Sequence, residues 1–234
     1  CKLKFALLSD IHGNSFALKA VLDAVKKKKI KTLIITGDFV GYYFWPLEVF
    51  KILKGWHIIA VRGNHDKMLE VARKDKDFLV TVGNKYGSGL RRALDQLDKK
   101  TIDWLIGLPD LLKYKTKDGG ILLCHGSPWG EDEYVYPDLD NQSLDRYISL
   151  DEKWVIQGHT HYPMYKEIAN TIIINPGSVG QPRSNNIGAQ WALLDTKLKK
   201  VEFFCEQYDV DKVVIESLKK HPELPYLANI LKRE

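Results

Sequence analysis

The stretch LKFALLSDIHGNSFALKAVLDAVKKKK, residues 3–29, decides the fold class. Its first part is a strand-like apolar run that stops at Asp10. Asn14 then caps a helix in which Phe16, Ala17, Ala20, Val21, Ala24 and Val25 recur at helical spacing. The lysines at 26–29 close that helix, where cations favour the negative end of the dipole, and read as a solvated terminus rather than a nucleic-acid patch. Working outward, TLIITGD (32–38) and HIIAVRGNHD (57–66) repeat the strand-then-turn pattern. Between them PLEVFKILKGW (46–56) is a short helix opened by Pro46. Such alternation predicts a largely parallel sheet covered by helices.

From 66 to 108 the text is helical and charged, and then its character changes. LLKYKTKDGGILLCHGS (111–127) reads as a hairpin around Asp118, Gly119 and Gly120. WVIQGHTH (154–161), TIIINPGS (171–178) and AQWALLDTKLKKVEFFCEQYD (189–209) read mostly as strands with short connections. Helical stretches near 140–149 and 211–232 complete the list. Two sheets packed face to face with helices outside accommodate it, and one domain over 1–234 is expected.

Lys and Arg number 35 against 30 Asp and Glu, a surplus too small to argue for a nucleic-acid polymer. Cys1, Cys124 and Cys205 are odd in number and widely spaced, without C-x-x-C, so a reducing, cytoplasmic setting is expected rather than a disulfide framework or zinc finger. A start at Cys1 reads as trimming rather than lipidation. No run approaches the ~20 apolar residues a membrane helix requires. Cys124 precedes His125 on a strand and so points to the opposite face, into a core.

Polar clusters stand where apolar strands stop: Asp10-Ile11-His12, Gly37-Asp38, Gly63-Asn64-His65-Asp66, Cys124-His125-Gly126 and Gly158-His159-Thr160-His161. Ligands of open α/β sheets bind beyond the carboxyl ends of strands, so these clusters should meet in one crevice. Residues i and i+2 of an extended chain face the same side about 6.6 Å apart, so Asp10 with His12, and His159 with His161, can each address one site. Paired metals in hydrolases lie about 3.5 to 4 Å apart, within reach of such pairs. Asp38, alone after its strand, is the candidate bridge, its two oxygens serving two ions. Two carboxylates, two divalent ions and one hydroxide leave about one positive charge, which suits an anionic phosphate. The absence of a glutamate base in these clusters argues against a peptide hydrolase.

In this order, D-x-H, GD, GNHD, a strand-end histidine and GHTH resemble the calcineurin-like metallophosphoesterase superfamily over residues 3 to about 205. The resemblance implies a four-layer αββα sandwich of two mixed sheets flanked by helices. It implies two divalent ions, manganese foremost with iron, zinc, nickel or magnesium as alternatives. Asp10, His12, Asp38 and His161 would surround one ion, and Asp38, Asn64, His125 and His159 the other. His65 would protonate the leaving oxygen or steady the phosphate, with Asp66 supporting it.

The segment NPGSVGQPR (175–183) is similar to that of small bacterial and archaeal phosphodiesterases, whereas GDFVGYYF (37–44) departs from the GDxxDRG of Ser/Thr protein phosphatases. The expected activity is therefore hydrolysis of phosphodiesters by attack of a metal-bound hydroxide, on a small substrate, nucleotide-like esters among the candidates. Gly177, Ser178 and Arg183 are expected at the phosphate. Tyr43 and Trp129, on aromatic loops that also carry Tyr42, Tyr134 and Tyr136, are expected to flank it, with packing as the equal alternative. The rival readings are a non-catalytic scaffold, like the small retromer subunit, and a nuclease or phosphomonoesterase of the same superfamily. Every ligand position and His65 are present, which favours catalysis. A homo-oligomer stays open.

Overall fold

The computed structural model describes residues 4–233, so the expectation at Cys1 lies outside the described residues. The chain opens with β1 (Lys4–Leu8), α1 (Ser15–Lys27), β2 (Thr32–Ile35), α2 (Pro46–Leu53) and β3 (His57–Ala60). Asn14 caps α1 as its sequence indicates, its side chain accepting from Ala17 N at 3.1 Å. Four helices follow: α3 (Asn64–Ala72), α4 (Lys76–Tyr86), α5 (Gly89–Gln96) and α6 (Lys99–Ile106). The hairpin of β4 (Leu111–Thr116) and β5 (Gly119–Cys124) leads to α7 (Asn141–Leu144), a 3₁₀ turn (Asp145–Ser149) and β6 (Trp154–Ile156). The remainder is β7 (Pro163–Ile168), β8 (Thr171–Pro176), β9 (Ala189–Asp195), β10 (Lys200–Glu206), α8 (Val210–Lys220) and α9 (Tyr226–Asn229).

Two five-stranded sheets result, ordered β10-β9-β1-β2-β3 and β4-β5-β6-β8-β7. Both are mixed: β1, β2 and β3 are parallel with β9 antiparallel, and β5, β6 and β8 are parallel with β4 and β7 antiparallel. Strand β7 escapes the sequence reading. It lies at a sheet edge, opens on Pro163 and carries Lys166 and Glu167, features that an edge tolerates and that blur a strand's apolar pattern.

The apolar run of β1 is continuous because both of its faces are buried. Phe5 and Leu7 point with Ile34, Ile59 and Val61 toward Ile121, Leu123, Trp154, Ile156 and Ile174 of the second sheet. Ala6 and Leu8 point with Leu33 and Ile35 toward Leu18, Val21, Leu22 and Val25 of α1. Burying a side chain of this size stabilises by about 1.5–3 kcal/mol, so the alternation locks the strand between two layers. The fourth layer is thin, with Val135, Leu144 and Tyr147 covering Leu122, Cys124, Val155 and Ile173. Cys124 is buried there, facing away from the site. No helix among the described residues is long and apolar enough to cross a membrane.

Candidate active site

The strand ends meet as expected, and the backbone of the loops joins them. Asp10 N donates to Gly37 O (3.1 Å), His12 N to Asp38 O (2.8 Å) and Gly158 N to His125 O (2.7 Å). Five of the expected ligands, Asp10, His12, Asp38, His159 and His161, have φ between 50° and 67°. Non-glycine residues rarely adopt this left-handed region, and bonds of this kind hold them there.

The functional atoms converge. His161 Nε2 lies 3.3 Å from Asp10 Oδ1 and 3.2 Å from His12 Nε2. Asp38 Oδ2 lies 3.6 Å from His12 Nε2 and 3.4 Å from His125 Nε2. His125 Nε2 is 3.0 Å from Asn64 Oδ1. Asp38 Oδ1 is occupied otherwise, accepting from His65 N at 2.9 Å, so a single oxygen of Asp38 faces both halves of the site rather than one oxygen for each.

Ring orientation comes from backbone carbonyls. Nδ1 of His12, His125 and His161 pairs with Val40 O (3.3 Å), Thr36 O (2.6 Å) and Gln181 O (2.6 Å). With Nδ1–H donated to a carbonyl, Nε2 of each ring turns into the site, where the neutral imidazole presents its lone pair, as for metal-bound histidines generally.

These residues fit divalent cations. Asp10 Oδ1 and His159 Nε2 are buried without a hydrogen-bond partner, a costly arrangement that a cation would relieve. The triads Asp10, His12, His161 and Asp10, Asp38, His125 each place their donor atoms within 4.8 Å of one another. His12, Asp38 and His65 form a third such group, which brings His65 to the edge of the centre.

Electrostatics follow from burial and opposite charge. Burial raises Asp10 and Asp38, but the surrounding histidines overcome it and hold both carboxyls well below the usual range. Burial lowers His12, His65 and, to about 4, His159, keeping these imidazoles neutral. His125 is the exception: burial lowers it, yet Asp38, Asp10 and the Thr36 carbonyl raise it to about 10.

Several sequence expectations are corrected. Asp66 does not support the His65 ring; its carboxylate accepts from the backbone N–H groups of Asp38 (2.8 Å), Phe39 (3.0 Å), Val40 (3.3 Å) and Gly63 (2.9 Å), clamping the Asp38 loop to α3. Burial and Asp38 raise Asp66 to about 8, against the pull of those donors. Gly177 and Gly180 do not offer N–H groups to a phosphate as a turn cradle would, and the Ser178 hydroxyl is spent as well. Gly177 N is spent on Asn175 Oδ1, Val179 N on Ser9 O and Gly180 N on Asp10 O, while Ser178 Oγ donates to Asp10 O and accepts from Gln181 N. This loop braces the end of β1.

Tyr43 is wholly buried, its hydroxyl donating to Leu227 O at 3.1 Å, so it packs rather than stacks on a substrate. Trp129 is half-exposed, but its ring rests on Tyr147 and under the Arg146 guanidinium. The rings on the centre are Tyr42, 4.5 Å from His12 and 4.9 Å from His65, Tyr86, 4.8 Å from His65, and Tyr134, 4.2 Å from His159. Arg183 stays at the site, its N donating to His161 O (3.2 Å) and its Nη2 to Tyr42 Oη (3.4 Å). Tyr86 and the carbonyls of Thr36, Val40 and Gln181 escaped the sequence reading. A carbonyl is common to all residues, and Tyr86 sits in a helix remote from every motif.

Known proteins resemble this chain over most of its length. The calcineurin-like phosphoesterase superfamily domain matches residues 3–199. The uncharacterized protein MJ0912 of Methanocaldococcus jannaschii is 29% identical over 229 residues, 90% of each chain. The phosphodiesterase YfcE of Escherichia coli is 25% identical over 92% of this chain and 98% of its own. The crystal structure of a metallophosphoesterase from Sphaerobacter thermophilus superposes with a TM-score of 0.79 at 25% identity, covering 99% of both chains.

Proposed function

Because the chain belongs to the calcineurin-like phosphoesterase superfamily, we propose that it hydrolyses phosphodiesters at a centre of two divalent metal ions. The observation that carries this reading is the convergence of Asp10, His12, Asp38, Asn64, His125, His159 and His161, with Asp10 Oδ1 and His159 Nε2 buried and unpartnered. Divalent ions at such a centre polarise phosphoryl oxygens and lower the pKa of water. Nitrogen and oxygen donors accommodate manganese, iron, zinc, nickel or magnesium.

Asp10, His12 and His161 would hold one ion and Asn64, His125 and His159 the other, with Asp38 serving both. Two carboxylates neutralise about half the charge of two divalent ions, which leaves an attraction for an anion. His65, neutral through burial and with Nδ1 unpartnered, offers an N–H to a phosphoryl oxygen; donation to the bound ester suits it better than proton transfer to the leaving group. Tyr42 and Tyr86 wall it from water. The loop after Asp38 carries Phe39, Val40, Tyr42, Tyr43 and Phe44, all buried, and no cation for a second phosphate charge, which favours a diester over a monoester.

With manganese restored after chelation, the protein should hydrolyse bis(p-nitrophenyl) phosphate faster than p-nitrophenyl phosphate, and chelator should abolish both. Faster monoester turnover would overturn the diester preference. No turnover of either ester with any of the five metals would overturn the enzyme.

A further inference from the structure

Beside the centre lies an open cavity of about 870 Å³ lined by Tyr136, Asp138, Tyr162, Arg183, Tyr226 and Arg233, among others. It adjoins the reacting position directly. Tyr162 follows His161 in the chain, Arg183 N binds His161 O, and the Tyr226 ring lies 6.4 Å from Tyr42, which itself covers His12 and His65.

The cavity holds one acid, Asp138, against two arginines, and neither arginine is paired with it. The arginine ion pairs among the described residues belong to Arg62, Arg73 and Arg146, so Arg183 and Arg233 stand free of carboxylates. Arg233 Nη1 donates to Arg183 O at 2.7 Å, which pins the end of the chain to the loop after the metal ligands and leaves the other guanidinium N–H groups for a ligand. Arg183 makes only long contacts, 3.4 Å to Tyr42 Oη and 3.5 Å to Gln181 Oε1. Guanidinium forks bind phosphate bidentately, and tyrosine faces receive planar rings. Asp138 can accept from a sugar hydroxyl or a base N–H.

We infer that this cavity is a substrate subsite for a nucleotide ester, taking the base against Tyr136, Tyr162 and Tyr226 and a second phosphate on Arg183 and Arg233. The inference rests on the phosphoesterase reading above and adds the substrate class. Tyr226 and Arg233 lie beyond residue 199, where the match to the family ends, so their share of this selectivity comes from the C-terminal segment rather than from the shared domain.

Calorimetry on the metal-loaded full chain tests it with thymidine 3′,5′-bisphosphate and thymidine 5′-monophosphate. The second phosphate should tighten binding about tenfold, as one or two charge-assisted hydrogen bonds would. In Arg233→Ala that ratio should fall toward one, and Arg233→Lys should restore part of it. Arg233 is exposed near the chain end, so these variants leave the core intact. Equal affinity for the two nucleotides in the wild type, or an unchanged ratio in Arg233→Ala, would overturn the subsite. Tyr226→Ala should weaken the bisphosphate more than tripolyphosphate, and equal weakening would overturn the placing of the base. Because these are binding ratios, they decide the subsite even if bis(p-nitrophenyl) phosphate is not hydrolysed.

Discussion

At the scale of single residues, His125 has its charge set by the carboxylates that share its site. Burial alone lowers it, but Asp38 Oδ2 at 3.4 Å, Asp10 Oδ1 at 4.0 Å and the Thr36 carbonyl raise it to about 10. In the metal-free protein it is therefore cationic at neutral pH. An imidazole must be neutral to ligate, so metal uptake at pH 7 should expel about one proton from this position, and affinity should climb with pH toward the folded value. The linkage to folding has the opposite sign. A folded pKa above the unfolded one stabilises the metal-free protein fully below the ordinary histidine value of 6.5, and this stabilisation is lost as pH rises through about 10. Calorimetry of manganese binding in buffers of different ionisation enthalpy measures the proton directly. An enthalpy independent of buffer would show that His125 is already neutral.

At the scale of elements, the site depends on how closely two strand ends approach. Gly63, between β3 and α3, has an ordinary extended backbone, φ −101° and ψ 179°, so an alanine is permitted there conformationally. Its Cβ, however, would overlap Asp38 Oδ1 and crowd Asp38 N. Gly63→Ala should thus push the Asp38 carboxylate away from His12 and His125, lowering metal content, and should destabilise by about 1–3 kcal/mol as overpacking does. Gly83 in α4 has open space where its Cβ would be, so Gly83→Ala is the matched control and should stabilise by up to about 1 kcal/mol. Metal analysis and thermal denaturation read both. Full metal content in Gly63→Ala would refute the steric account.

At the scale of the whole molecule, the last helices support the site from behind. Val213, Val214, Leu227 and Leu231 pack against Tyr42, Tyr43 and Phe44, and Tyr43 donates to Leu227 O. His221 Nε2 pairs with Ser88 Oγ at 2.8 Å, and Tyr226 Oη donates to Lys85 O at 2.7 Å, tying the same segment to α4 and the start of α5. Leu227→Ala should cost about 2–5 kcal/mol, in the range of large-to-small core substitutions. Its effect should concentrate in faster hydrogen exchange at residues 42–44, and turnover should fall because Tyr42 is held less firmly over His12 and His65. Faster exchange spread evenly over both sheets, with residues 42–44 no more affected than the rest, would refute this support.

The convergence of the candidate ligands was legible from the chain alone. Asp10-x-His12, Gly37-Asp38, Asn64-His65 and His159-x-His161 each follow an apolar strand, and strand direction carries them to one edge of the sheets. The alternation of Phe5 and Leu7 with Ala6 and Leu8 was local as well, because the period of a strand is a local property. Long-range geometry decided the rest. Tyr43 and Tyr42 are neighbours of the same type in the same loop, yet one lies under the C-terminal helices and the other over His12 and His65, a division made by Leu227 some 184 positions away. The N–H groups of Gly177, Val179 and Gly180 could have met a phosphate, but Asn175 took the first and the residues after β1, Ser9 and Asp10, took the other two. Side-chain chemistry and local periodicity reside in the sequence, whereas whether a loop atom faces a ligand or another loop depends on which distant segment satisfies its hydrogen bonds and covers its apolar surface.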